Sequence, residues 1–143
     1  MTLDSLSHYS DLEKAILDEN LAKLGDSLVN VIYSLARSIA KGEADGAKVP
    51  NKILSDSLSE AGLRELAPTR MSMHELGDVS EAIIAFAWVQ GKIEIKEAAD
   101  ILSDSLSNVD FENRNEVMKM SCEGFKDLLL TVSERIDFEK NEI

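Results

Sequence analysis

Cysteine is nearly absent. The single Cys122 rules out a disulfide within the chain, and a lone thiol fits a reducing compartment, so a cytoplasmic location is expected. Proline and glycine are scarce, at two and seven of 143 residues. Alternating runs rich in Val, Ile, Tyr and Phe are missing too, which favours helix over strand. Positive charge is in deficit, with 15 Lys and Arg against 27 Asp and Glu and a net charge of −12. That balance argues against broad, nonspecific grip on a polyanion. It does not exclude nucleic acid at a cleft carrying divalent ions, which would reverse the local sign. The longest strongly apolar stretch, Ala82 to Val89, is too short to span a bilayer. No basic segment leads into an apolar run at the start, so no secretory leader is expected. The two histidines, His8 and His74, lie far apart, and no Cys/His cluster has zinc spacing. Neither a Gly-rich phosphate loop nor a G-x-S-x-G elbow is present.

With 44% apolar and 29% charged residues, the composition is that of a globular protein long enough to bury one core. One all-α domain over residues 1–143 is expected. Glycine and proline cut it into helical segments. The first is predicted from Tyr9 to Lys41, with Leu17, Leu21, Leu24, Leu28, Ile32, Leu35 and Ile39 on one face. Others are predicted at Asn51–Glu65, Ser72–Gln90, Ile95–Ser107 and Asp110–Lys140. The third is apolar all round from Ala82 to Val89, the pattern of a central buried helix. In the last, Met118, Cys122, Phe125, Leu129, Val132 and Ile136 form a stripe that suits core packing or a seam with a partner helix. Cys122 reads there as buried packing. The string ILSDSLS occurs at Ile53–Ser59 and Ile101–Ser107 in unrelated surroundings, and is no repeat architecture.

Carboxylates are the remaining source of chemistry. Glu19 and Asp26, seven apart, lie on one side of a helix. Asp78 and Glu81, three apart, do the same. Each aspartate follows a glycine predicted inside a helix, Gly25 and Gly77. Such a glycine costs about 0.5–1 kcal/mol relative to alanine, and close approach of two backbones is its usual reason. If the helices cross at their glycines, four carboxylates converge, repel one another, and are relieved by a hard divalent cation, Mg²⁺ or Mn²⁺. An alternative stays open: Asp78-Val79-Ser80-Glu81 is also the pattern of a capping box opening the apolar helix. Glu19 and Asp26 equally suit a solvated helix face.

The stretch Leu24-Gly25-Asp26-Ser27-Leu28-Val29-Asn30 resembles the signature helix of the ribonuclease III family, E-x-x-E-x-x-G-D. Gly77-Asp78-Val79-Ser80-Glu81-Ala82 is similar to that family's second acidic motif, D-x-x-E-A. Val49-Pro50-Asn51-Lys52-Ile53-Leu54 with Gly62-Leu63 resembles its middle segment. The resemblance implies a helical, homodimeric endonuclease domain that cuts double-stranded or structured RNA with Mg²⁺. Asp26 and Glu81 would be catalytic, and Glu19, Asp26, Asp78 and Glu81 would hold the metal. Ala22 stands where the second signature glutamate belongs, as in the short Mini-III branch. No double-stranded-RNA-binding domain is expected, so the dimer itself or a partner would hold the substrate. Lys48, Lys52, Arg64 and Arg70 flank the cleft in sequence and could meet phosphates, or they are scattered surface bases. A-form RNA is read by shape and backbone, so no sequence-specific pocket is required. Two rivals remain at this stage: a catalytically weak ribonuclease III-like module that binds RNA or serves as an assembly partner, and a helical dimer whose acids only cap.

Overall fold

The computed structural model describes residues 3–141, and among them every regular element is helical. Six α-helices follow in order: α1 (Leu12–Ala15), α2 (Glu19–Lys41), α3 (Asn51–Glu60), α4 (Met73–Val89), α5 (Ile95–Leu106) and α6 (Arg114–Asn141). Short 3-10 turns occupy Leu3–Leu6 and Arg64–Leu66. No helix among the described residues is long and apolar enough to cross a membrane.

Helix α4 is the hub, packing most extensively on α2 and α3 and also on α6 and α1. Its stretch Val79–Ala87 is buried on every side, as the apolar run from Ala82 requires, and Ser80 and Glu81 are carried into the interior with it. Helix α5 lies against α2 and α6, and α6 closes the bundle over α3. Phe125, Leu128, Leu129 and Val132 of α6 are fully buried. A buried hydrogen bond between the Tyr33 hydroxyl and Ser121 Oγ (2.9 Å) ties α2 to α6.

The element ends follow local chemistry. Ser72 and Glu75 form a complete capping box at the start of α4. Helix α4 therefore begins one turn before Asp78, and the capping alternative for Asp78-Val79-Ser80-Glu81 is excluded. The predicted helix Tyr9–Lys41 is broken. Asp18 in extended backbone accepts from Leu21 N–H (2.9 Å) and caps α2 anew, because an N-cap aspartate competes with helix continuation. Leu17, Leu35 and Ile39, placed by their spacing on one face with Leu21 and Leu28, are 56%, 42% and 53% exposed. The buried face of α2 is instead Leu21, Gly25, Leu28, Val29, Ile32, Tyr33 and Ala36. Helix α3 stops at Glu60, and Gly62 at φ 76° turns the chain away before Glu65. Helix α6 begins at Arg114 rather than Asp110.

A carboxylate cleft at the crossing of two helices

The backbones of α2 and α4 meet at Gly25. A Cβ there would lie 2.1 Å from the carbonyl oxygen of Glu81, a separation no side chain survives. Glycine is therefore required by sterics, and this crossing is what its helical cost supports. Gly77 has a different job from the one expected: it faces Asn51 and Leu54 of α3, where a Cβ would find ordinary space at 3.5 Å. The crossing pairs Gly25 with Glu81, not glycine with glycine.

This geometry places Glu81 at the tightest point of the interface, so the residue is only 4% exposed. Its Oε2 is buried with no hydrogen-bond partner. A buried carboxylate with one oxygen unpartnered is costly, and the group responds by holding its proton. Burial, then the neighbouring carboxylates of Asp26 and Asp78, push its pKa up to about 8. Asp26 is the next residue along α2 after the crossing glycine, and Asp78 sits one turn before Glu81 on α4. Both line the same cavity as Glu81 and act on its carboxyl group.

A cavity of about 300 Å³ opens above these groups, lined by Glu19, Ala22, Lys23, Asp26, Lys48, Asn51, His74, Asp78 and Glu81. The four carboxylates singled out in the sequence thus share one cleft. As they stand, no three His, Cys, Asp or Glu side chains among the described residues are arranged around a single point that could hold a metal. Ala22, at the position of the signature's second glutamate, also lines the cavity.

Of the four bases expected near the cleft, only Lys48 lines it. Lys52 pairs with Asp56 at 2.9 Å and lines a separate groove between α3 and α6. Arg64 donates to the carbonyls of Ala67 (3.3 Å) and Pro68 (3.0 Å). Arg70 sits exposed in the loop before α4. Lys23, Asn51 and His74 also line the cleft, though the motifs do not mark them as site residues. Asn51 Nδ2 donates to His74 Nδ1 (3.0 Å), and His74 Nε2 lies 3.8 Å from Asp78 Oδ2. The helical i,i+4 spacing of His74 and Asp78 was the available signal. Cys122 is only partly buried, contrary to expectation, and donates to Glu60 at 3.4 Å in the α3–α6 groove. Burial and Glu60 raise its pKa to about 12, which removes thiolate character.

Fold and cleft together define an all-helical protein with a set of oxygen donors sunk between two crossing helices. The chain belongs to the ribonuclease III family, whose profile matches residues 19–138, from the first residue of α2 to near the end of α6. Among curated proteins, none matches its sequence. Membership in this family supports an endoribonuclease, a hydrolase acting on RNA.

Proposed function

We propose that the chain is a divalent-metal-dependent endoribonuclease that cuts double-stranded or structured RNA. One observation carries the reading: the orphaned, buried Oε2 of Glu81 beneath Asp26 and Asp78. A group in that state needs a proton or a cation, and a hard ion such as Mg²⁺ or Mn²⁺ suits an all-oxygen donor set. Asp26, Asp78, Glu81 and Glu19 would hold it. Bound there, the ion would polarise a phosphoryl oxygen and lower the pKa of an attacking water.

The chain's own residues supply the rest. Lys48 and Lys23 face the same cleft as the acids and would hold backbone phosphates of the RNA, offsetting part of the −12 net charge where it matters. Glu81 supplies one rigid ligand, because its position is set by the Gly25 crossing. Ala22 removes one acidic wall and leaves room beside Asp26 for a phosphate. Residues 1–143 would act as one such unit.

A homodimer is part of the reading. Val31, Leu35 and Ile39 recur every four residues along α2 and are 48%, 42% and 53% exposed. That strip is the natural surface for a second copy, which would place two clefts on one duplex. The Mini-III-like pattern around Ala22 fits the same arrangement.

A second reading retains support from Ala22 and the acidic surface: a family member that holds structured RNA without cutting it. Incubating the 143-residue protein with double-stranded RNA and Mg²⁺ or Mn²⁺ separates the two. The proposal expects discrete shorter products on a denaturing gel, abolished by a chelator. Intact RNA retained in a mobility shift would favour the second reading.

A further inference from the structure

The segment between α2 and α3 is laced to α2 by a regular ladder. Asn30, Ser34 and Ser38, four residues apart, hold Val49, Ala47 and Asp45, two residues apart, in antiparallel order. Asn30 Oδ1 accepts from Val49 N–H at 2.8 Å. Ser34 Oγ accepts from Ala47 N–H (3.0 Å) and donates to Ala47 O (3.1 Å). Ser38 Oγ accepts from Asp45 N–H at 2.8 Å. Arg37 and Lys41 close the far end on the Asp45 carboxylate at 2.8 and 3.1 Å. The spacing matches physically: four helical residues advance about 6 Å and two extended residues about 6.6 Å. Alternation along the extended segment turns Val49 inward, where it is buried, and leaves Lys48 exposed at the cleft.

The first rung differs from the others. The serine hydroxyls spend their capacity on the loop and, at Ser38, also on the α2 backbone (Ser34 O, 2.7 Å), but the Asn30 amide has a second arm. Since Oδ1 must be the acceptor for Val49 N–H, the other end is the NH₂ group, and the amide cannot be flipped. That Nδ2 donates to Asp26 Oδ1 at 3.3 Å. One side chain therefore contacts both an acid of the cleft and the backbone next to Lys48.

We propose that Asn30 is a positioning residue, orienting the Asp26 carboxylate toward the cleft and registering the Lys48 segment against it. The inference rests on the metal-dependent reading above and extends it from the ligands to what aims them, a place where hydrogen-bonding partners commonly control metal affinity.

The ladder itself provides the discriminating variant. Asn30→Ser keeps a hydroxyl of the kind that holds the other two rungs and has no arm for Asp26. Ser34→Ala breaks a rung that touches no cleft residue. Mn²⁺ affinity by calorimetry and amide exchange at Val49 and Ala47 are read on the whole protein. Asn30→Ser should preserve slow exchange at Val49 and weaken Mn²⁺ on the order of tenfold. Ser34→Ala should speed exchange at Ala47 and leave Mn²⁺ affinity within about twofold, as expected for a change that spares the cleft. Wild-type affinity in Asn30→Ser, or equal weakening in both variants, would overturn the assignment alone. A wild type that binds no Mn²⁺ would overturn the metal reading and this inference together.

Discussion

Glu81 sits at the α2–α4 crossing, 4% exposed, among the acids of the cleft. Its unfolded carboxyl ionises near 4.5, and in the fold its pKa is about 8. Below 4.5 both states hold the proton and Glu81 carries no electrostatic penalty. Between these values the unfolded chain releases a proton that the folded chain keeps, so stability falls as pH rises, by about 1.4 kcal/mol per pH unit. Above about 8 both states are ionised and the loss is complete. Glu81→Gln lacks this titration. In metal-free buffer the variant should melt progressively higher than wild type as pH is raised from 5 to 8, and a constant difference would refute the account of Glu81. With RNA and Mg²⁺, Asp26→Asn and Glu81→Gln should each cut RNA at least 100-fold more slowly, measured as initial rates on a gel, by analogy with the loss of other electrostatic groups at reacting centres.

The acids themselves were legible from spacing and resemblance, because Asp26, Asp78 and Glu81 lie on helix faces that periodicity defines. The unequal burial of the three was not. Periodicity puts Asp78 and Glu81 on one face, yet Glu81 is buried while Asp78 is half-exposed, since only Glu81 lies under Gly25. Lys52 and Arg64 lie near the cleft in sequence but not in space. One turn of α3 separates the cleft residue Asn51 from the groove residue Asp56 that captures Lys52.

At the scale of elements, the two helical glycines make opposite predictions. Gly25→Ala drives a methyl group to 2.1 Å from the Glu81 carbonyl, so α2 and α4 must separate. The cost should exceed about 3 kcal/mol, the upper end for ordinary overpacking. Gly77→Ala meets only ordinary contacts at 3.5 Å or more and should stabilise by about 0.5–1 kcal/mol through helix propensity. Urea unfolding of both variants checks the pair, and similar effects would contradict the crossing geometry. The sequence pattern flagged both glycines alike, because a Gly-Asp dipeptide does not say which neighbour its missing Cβ accommodates.

Helix α4 was legible almost to the residue, since nothing competes with its apolar run and Ser72 starts it cleanly. The break between α1 and α2 was hidden for the opposite reason. Leu17 continues the apolar spacing across it, and only the capping bond from Asp18 to Leu21 reveals the new start. The loop ladder was also invisible, because Asn30, Ser34 and Ser38 read as a polar helix face until the antiparallel segment is laid beside them.

For the whole molecule, the bundle and its family were readable from apolar periodicity and three short motifs in order, while its association was not. An apolar strip looks the same whether a neighbouring helix or another copy covers it. If Val31, Leu35 and Ile39 meet a second chain, light scattering at micromolar concentration should give about twice the 15.7 kDa chain mass. Leu35→Glu should then return the protein to one chain mass without lowering its helical signal, because the residue is already 42% exposed. A monomeric wild type would refute the dimer and leave the cleft account standing.

The central claim is that an acid pinned beneath a helix crossing is completed by a divalent cation. Thermal melting with and without Mg²⁺ at pH 8 tests it most directly, on wild type, Asp26→Asn and Glu81→Gln. An ion that binds only the folded state at 100 times its dissociation constant adds about 2.7 kcal/mol. Mg²⁺ should raise the melting temperature of wild type clearly and that of neither variant, with each variant at least as stable as wild type when metal is absent. Equal melting of wild type with and without Mg²⁺, or metal-independent destabilisation in both variants, would contradict it.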